Sequence, residues 1–189
     1  MERDPLLNKN VNENMEEIAE YIMFNLNAEF FFSQVRSPDE IEFQKKCDIM
    51  EKLPEKAFEI EIDEKSKHTW KSAIKEASKI AEVQTPRAKL QQLGAAVGII
   101  EHAYMLYKGE SSNADVLVEF LPYVLVKAKI DRLLAHYNYI EAFHLTATEG
   151  DPIELYRTNL KIAVQRIWDF KLDPKLLQQI DPQLPRFGK

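Results

Sequence analysis

The stretch Val116-Leu117-Val118-Glu119-Phe120-Leu121-Pro122-Tyr123-Val124-Leu125-Val126 decides the fold class, because it is the longest apolar run in the chain. β-branched residues crowd it, and a run of this length suits a buried strand as readily as a buried helix. Pro122 separates the two: it has no N–H to give to a sheet ladder, which argues against a central strand. Inside a helix the same residue costs about 3 kcal/mol unless it falls in the first turn or a kink is wanted. Helical patterns flank the run on both sides and no partner strand is visible elsewhere. The run is therefore assigned to a buried central helix, and the fold class to all-α. Interrupted by Glu119 and Pro122, it also falls far short of the ~20 apolar residues that span a bilayer.

Outward from this helix, prolines mark where other helices begin. Besides Pro5 after Asp4, five of the nine follow a Ser, Thr or Asp, at Ser37-Pro38, Thr85-Pro86, Asp151-Pro152, Asp173-Pro174 and Asp181-Pro182. Each pair matches an N-cap followed by proline at the first helical position, where the missing N–H costs nothing. Glu40 and Glu154 stand three residues after Ser37 and Asp151, the spacing of a capping box. Between the starts the apolar period is helical. Met15, Ile18, Ile22 and Leu26 share one face, Trp70, Ile74, Ala77 and Ala81 another, and Leu90, Leu93, Val97, Ile100 and Tyr104 a third. Seven or eight helices are expected, near 12–33, 38–52, 66–82, 86–107, 114–129, 131–146, 152–170 and 174–180. Gly94 and Gly98 lie four apart on one of them and would admit a close-packed neighbour. The organisation expected is a helical bundle segment over 1–60 packed on the core, a main domain over 61–170, and a short helix and tail over 171–189.

Bulk properties narrow the function. With 45% hydrophobic and 30% charged residues, the 189-residue chain has the composition of one globular unit. Its net charge of -6 and pI of about 5.4 give no electrostatic reason to expect nucleic acid. The single Cys47 cannot form an internal disulfide, and Met1 to Asn14 carry no apolar stretch resembling a signal peptide, so a soluble, cytoplasmic protein is expected. Cys47 is expected to be a small buried apolar side chain.

Catalytic constellations are absent from the sequence. There is no glycine-rich phosphate loop, His-Glu-x-x-His, Cys-x-x-Cys or Gly-x-Ser-x-Gly pattern. Glu141 and His144 have the spacing used in carboxylate-bridged di-metal bundles, but the second copy such a site needs is missing. No cofactor and no metal are expected.

From Thr85 onward a family resemblance emerges. Thr85-Pro86-Arg87-Ala88-Lys89-Leu90, a long helix, a short polar loop, then Asn113-Ala114-Asp115-Val116-Leu117 resembles the Vps-nine domain, whose hallmark is an Ala-Asp pair opening a very hydrophobic helix. Tyr123-Val124-Leu125-Val126-Lys127-Ala128 resembles the end of that helix, Asn138-Tyr139-Ile140 with Phe143 the next one, and Leu155-Tyr156-Arg157-Thr158-Asn159-Leu160 the family's tandem-tyrosine segment. Residues 20–58 are similar in layout to the bundle that precedes this domain in Rabex-type exchange factors. Three positions depart from the pattern: Leu155 replaces the first tyrosine, Glu119 stands where a proline is usual while Pro122 comes later, and Lys129 replaces an asparagine.

The resemblance implies a guanine nucleotide exchange factor for a Rab-five-like small GTPase, acting in endosomal trafficking. Asp115 would be its acidic finger, the catalytic residue that enters the GTPase nucleotide site. Glu119, Leu155, Tyr156 and Thr158 would bind the GTPase in a groove between the helices starting at 114 and 152. Asp115 also has a plainer role open to it, as a carboxylate interacting with the dipole of its own helix, and the two roles are compatible. The alternative function is a non-catalytic module of the same fold that binds an activated Rab or a tethering partner.

Overall fold

A computed structural model of the chain describes residues 15, 18, 22, 31–32, 35–110, 114–143 and 151–172. Among them are six α-helices and no strand: α1 (Pro38–Glu51), α2 (Lys67–Ser78), α3 (Pro86–Lys108), α4 (Ala114–Lys127), α5 (Leu133–Phe143) and α6 (Pro152–Asp169). Short 3-10 turns occupy Glu55–Phe58 and Lys79–Ala81. The expected helix at 174–180 and the starts at Pro174 and Pro182 lie outside the described residues. Of the helix expected near 12–33, Met15, Ile18, Ile22, Phe31 and Phe32 are described, and all five are helical. Met15, Ile18 and Ile22 are exposed rather than packed.

The starts follow the local chemistry. At α1 a full capping box forms, with Ser37 Oγ accepting from the Glu40 N–H at 3.2 Å and the Glu40 carboxylate accepting from the Ser37 N–H at 2.8 Å. Thr85 accepts from the Ala88 N–H at 3.2 Å to open α3. Asp151 opens α6 differently, accepting from Ile153 at 3.0 Å, one residue short of the capping-box position. Its second oxygen takes the Arg87 guanidinium at 2.9 Å.

At the centre lies α4, the run that was ambiguous in sequence. From Phe120 to Val126 every residue is buried, Pro122 included. A helix apolar all round must be enclosed by other helices, and α4 contacts α1, α2, α3 and α6. Phe120 stacks on Trp70 with centroids 4.6 Å apart and meets Tyr104 edge-on at 6.0 Å. Trp70 Nε1 in turn donates to Ser66 Oγ at 3.1 Å. Phe43, Cys47 and Met50 of α1 belong to the same core. Burial pushes the Cys47 thiol up to about 12, as suits a thiol that only packs.

Lysines do unexpected work in this core. Lys89, 1% exposed, donates from Nζ to the carbonyls of Ile80 (2.9 Å) and Val83, beyond the end of α2. Lys127 donates to the carbonyls of Glu51 (2.5 Å) and Leu53 (2.9 Å), at the end of α1. Helix C-termini leave carbonyls without donors, and a lysine from another helix supplies them in both places. Burial brings the Lys89 ammonium down to about 8. Lys129, in the turn after α4, has φ 52, the left-handed region that asparagine tolerates better than lysine.

His136 on α5 is buried against Phe32, centroids 4.5 Å apart. Burial, then the charges of Lys89 and Arg132, hold its imidazole down to about 3. Once pH falls below about 6.5 the unfolded chain binds a proton that the folded chain refuses, so stability falls with pH from there toward 3. Between pH 7 and pH 5 this contributes about 2 kcal/mol of lost stability. Urea unfolding at both pH values should show His136→Phe losing less stability than the wild type by about that amount. Equal losses would show that His136 is protonated in the folded protein. In the turn preceding α5, Lys129→Asn should raise stability by about 0.5–1 kcal/mol by relieving the left-handed backbone, read as a higher melting temperature.

Candidate functional site

Asp115 lies in the first turn of α4 and is exposed. No hydrogen bond or ion pair holds its carboxylate among the described residues. One turn on, Glu119 is exposed on the same side, while Val116 and Leu117 between them are buried. The central helix thus presents two carboxylates where it emerges from the core, and Phe120, clamped between Trp70 and Tyr104, fixes the point of emergence.

Helix α6 packs beside α4. Its C-terminal end meets the start of α4: Arg166 Nη1 donates to the Val118 carbonyl at 2.8 Å. Here a cleft of about 510 Å³ opens, bordered by Glu119 and Pro122 of α4, Arg166, Asp169 and Phe170 near the end of α6, and Phe58 from the 3-10 turn. Phe58 packs on Phe170, centroids 5.3 Å apart, and edge-on to Tyr123 at 5.2 Å. The cleft therefore has an aromatic floor and a charged rim.

The remaining expected residues sit at the other end of α6. Asp151 is tied to Arg87, and the Tyr156 ring lies against Gly94, both in the first half of α3. Leu155 is 57% exposed, a bare aliphatic side chain on the surface. Thr158 is exposed on the same stripe, its hydroxyl donating to the Glu154 carbonyl at 2.9 Å. Eleven residues of helix separate Leu155 from Arg166, about 16 Å along the axis. Asp115 and Glu119 form one patch, Leu155 and Thr158 a second, and α6 connects them. Tyr156 is half-buried in its contact with Gly94 rather than standing free. The neighbour that Gly94 admits is this ring, and nothing approaches Gly98.

Glu141 pairs with Arg157 at 3.3 Å, and His144 lies outside the described residues. Arg166 escaped the sequence-based assignment of the site. Its signal was present but indirect: Pro122 has no N–H, so the carbonyl four residues earlier, at Val118, is left without its helical donor.

Residues 70–172 match the family model of the vacuolar sorting protein 9 (VPS9) domain, a span covering more than half of the chain. It runs from Trp70 on α2 through Leu172 after α6, and so takes in Asp115, Glu119, both patches and the α4 and α6 sides of the cleft. No curated protein gives a significant match.

The contact between Tyr156 and Gly94 can be tested against the open position one turn away. Alanine at either glycine gains helix propensity of about 1 kcal/mol, but at Gly94 the added Cβ would overlap three atoms of the Tyr156 ring. Gly94→Ala should therefore be less stable than Gly98→Ala by about 1–3 kcal/mol, the usual cost of overpacking. Equal denaturant midpoints would mean that the ring does not occupy this place.

Proposed function

This chain belongs to the VPS9 domain family, and from that membership we propose that it releases GDP from a Rab-five-like small GTPase by inserting Asp115 into the nucleotide site. Guanine nucleotide exchange on Rab-type GTPases is the general activity that the domain implies. The observation that carries the finer proposal is the exposure of Asp115 at the tip of a helix that is buried from Phe120 to Val126. A carboxylate so placed can leave water for a neighbour's phosphate pocket without unfolding anything of its own.

The energetics suffice for catalysis. GDP held with picomolar-class affinity is bound by about 16 kcal/mol. A carboxylate ~4 Å from the lysine that grips the phosphates competes for that cation, worth roughly 4 kcal/mol at an effective dielectric near 20. That corresponds to about three decades of release rate. The finger also displaces the GTPase's Mg²⁺, which otherwise bridges nucleotide and protein.

Around the finger, Glu119 and the exposed pair Leu155 and Thr158 meet the GTPase switch regions along α6. Leu155 offers aliphatic area where the family offers an aromatic ring, and Tyr156 supports that surface from behind through Gly94. Of the segment expected over 1–60, α1 packs against α4, α5 and α6 and braces the domain. No helix among the described residues is long and apolar enough to cross a membrane. Recruitment to endosomal membranes then falls to other proteins, and the site of action is the cytoplasmic side of trafficking vesicles.

One observation favours a second function. Both Leu155 and Glu119 change the chemistry of the binding surface, and Tyr156 is engaged within the domain, so a Rab-binding module without exchange activity would have the same fold. Release of a fluorescent GDP analogue from a panel of Rab proteins separates the two. Asp115→Ala should fold like the wild type and slow catalysed release by about two to three orders of magnitude. Identical rate constants for wild type and mutant across the panel would eliminate the finger.

A further inference from the structure

We propose that Arg166 is a positioning residue for exchange, its guanidinium replacing the backbone donor that Pro122 removes from α4 and so fixing the turn that carries Asp115. The inference rests on the exchange function proposed above and adds to it a residue on a different helix.

The chemistry begins with the proline. In an α-helix the carbonyl of residue 118 accepts from the N–H of residue 122. Pro122 has no such hydrogen, and its ring pushes against that same carbonyl. The Val118 carbonyl therefore tilts away from the axis and needs a donor from outside. Arg166 Nη1 supplies it at 2.8 Å from the facing helix, 48 residues along the chain. The guanidinium makes this bond although the carboxylates of Glu119 and Asp169 border the same cleft. A charged donor makes a stronger bond to a carbonyl than a neutral one.

Position along α4 gives the bond its consequence. After Pro122 the helix is enclosed by the core through Val126; before it, Val116, Leu117, Phe120 and Leu121 are buried on one side while Asp115 and Glu119 are exposed on the other. A helix with a missing rung bends at that rung. The Arg166 bond closes the gap at Val118, between the enclosed half and the half-exposed start of α4, and so, with the packing of Val116 and Leu117, sets the angle at which Asp115 leaves the domain. A carboxylate that must reach a cation in a partner's pocket is sensitive to that angle, because displacement by ~1 Å can cost about a hundredfold in rate. Arg166 is therefore needed only because Pro122 stands in α4.

The pair is tested by a cycle of variants assayed for release of a fluorescent GDP analogue from a Rab protein and for amide hydrogen exchange in the free domain. Arg166→Met should lower the maximal release rate about tenfold, with little change in the GTPase concentration at half-maximal rate. Pro122→Ala restores the N–H and should stay within about twofold of wild type. In the Pro122→Ala background, Arg166→Met should cost less than about twofold, and Arg166→Lys, which keeps a charged donor, should recover part of the loss in the Pro122 background. The amides of residues 119–121 should exchange faster in Arg166→Met and regain protection in the double variant. An equal loss from Arg166→Met in both backgrounds would overturn the proposal, showing that the guanidinium acts on the GTPase directly. Should the wild type release no nucleotide from any Rab protein, the exchange function fails on its own account. Amide exchange then decides the pairing: unchanged protection in Arg166→Met refutes it, and loss with recovery upholds it.

Discussion

The enclosure of α4 is the constraint on which the rest of this structure depends. Seven consecutive residues, Phe120 to Val126, lose contact with water, and burying large apolar side chains is worth about 1.5–3 kcal/mol each. No single neighbour can cover a helix that is apolar on every side, so helices from before and after it in the chain are drawn around it. The Phe120–Trp70 stack ties its beginning to α2, and α1 closes over its end. Only one edge of its beginning reaches the surface, and that edge carries Asp115 and, one turn on, Glu119. Fold and candidate function meet at this boundary, because the same packing that hides the helix determines what it shows.

Polar groups complete what apolar packing begins. Lys89 and Lys127 fall inside the segments that resemble the family, and a motif lysine invites a functional role. In this fold each ammonium is spent on carbonyls at the end of another helix. Their use is architectural: they join α3 to the end of α2, and α4 to the end of α1, where backbone acceptors would otherwise lack partners. Arg132 works similarly, pairing with Glu40 at 3.0 Å and donating to the Phe32 carbonyl, which secures the segment before α1 against α5. The family's asparagine after its Lys-Ala pair also has a physical reason here, since Lys129 occupies a left-handed backbone conformation.

Local signals were legible in the sequence and distant ones were not. Ser37, Thr85 and Asp151 revealed their helices because a cap needs only the next three residues, and Pro122 resolved α4 because a missing N–H is a property of the residue itself. The 3-10 turns at Glu55–Phe58 and Lys79–Ala81 have no comparable signature, being tightened by what packs on them. Burial of Lys89 ran against its hydropathy, since nothing in the chain near it announces two carbonyls waiting beyond α2. At the candidate site, Asp115 and Glu119 were named from the family resemblance, and their shared exposure is local to the helix, since they stand four apart on one edge of α4. The half-burial of Tyr156 did not, because it depends on a gap at Gly94, 62 residues away. Arg166 shows the middle case: the acceptor at Val118 is implied by Pro122, while the donor is known only once the chain is folded.

An exchange factor and a passive Rab-binding module share this architecture but differ in which state of the partner they hold hardest. Catalysed release requires the tightest grip on the nucleotide-free form, because acceleration comes from binding the transition toward that state better than the loaded one. The decisive measurement is the affinity of this domain for one Rab protein in its nucleotide-free, GDP-bound and GTP-analogue-bound forms. The account predicts the strongest binding to the nucleotide-free form, and strongest binding to the GTP-analogue-bound form would contradict it.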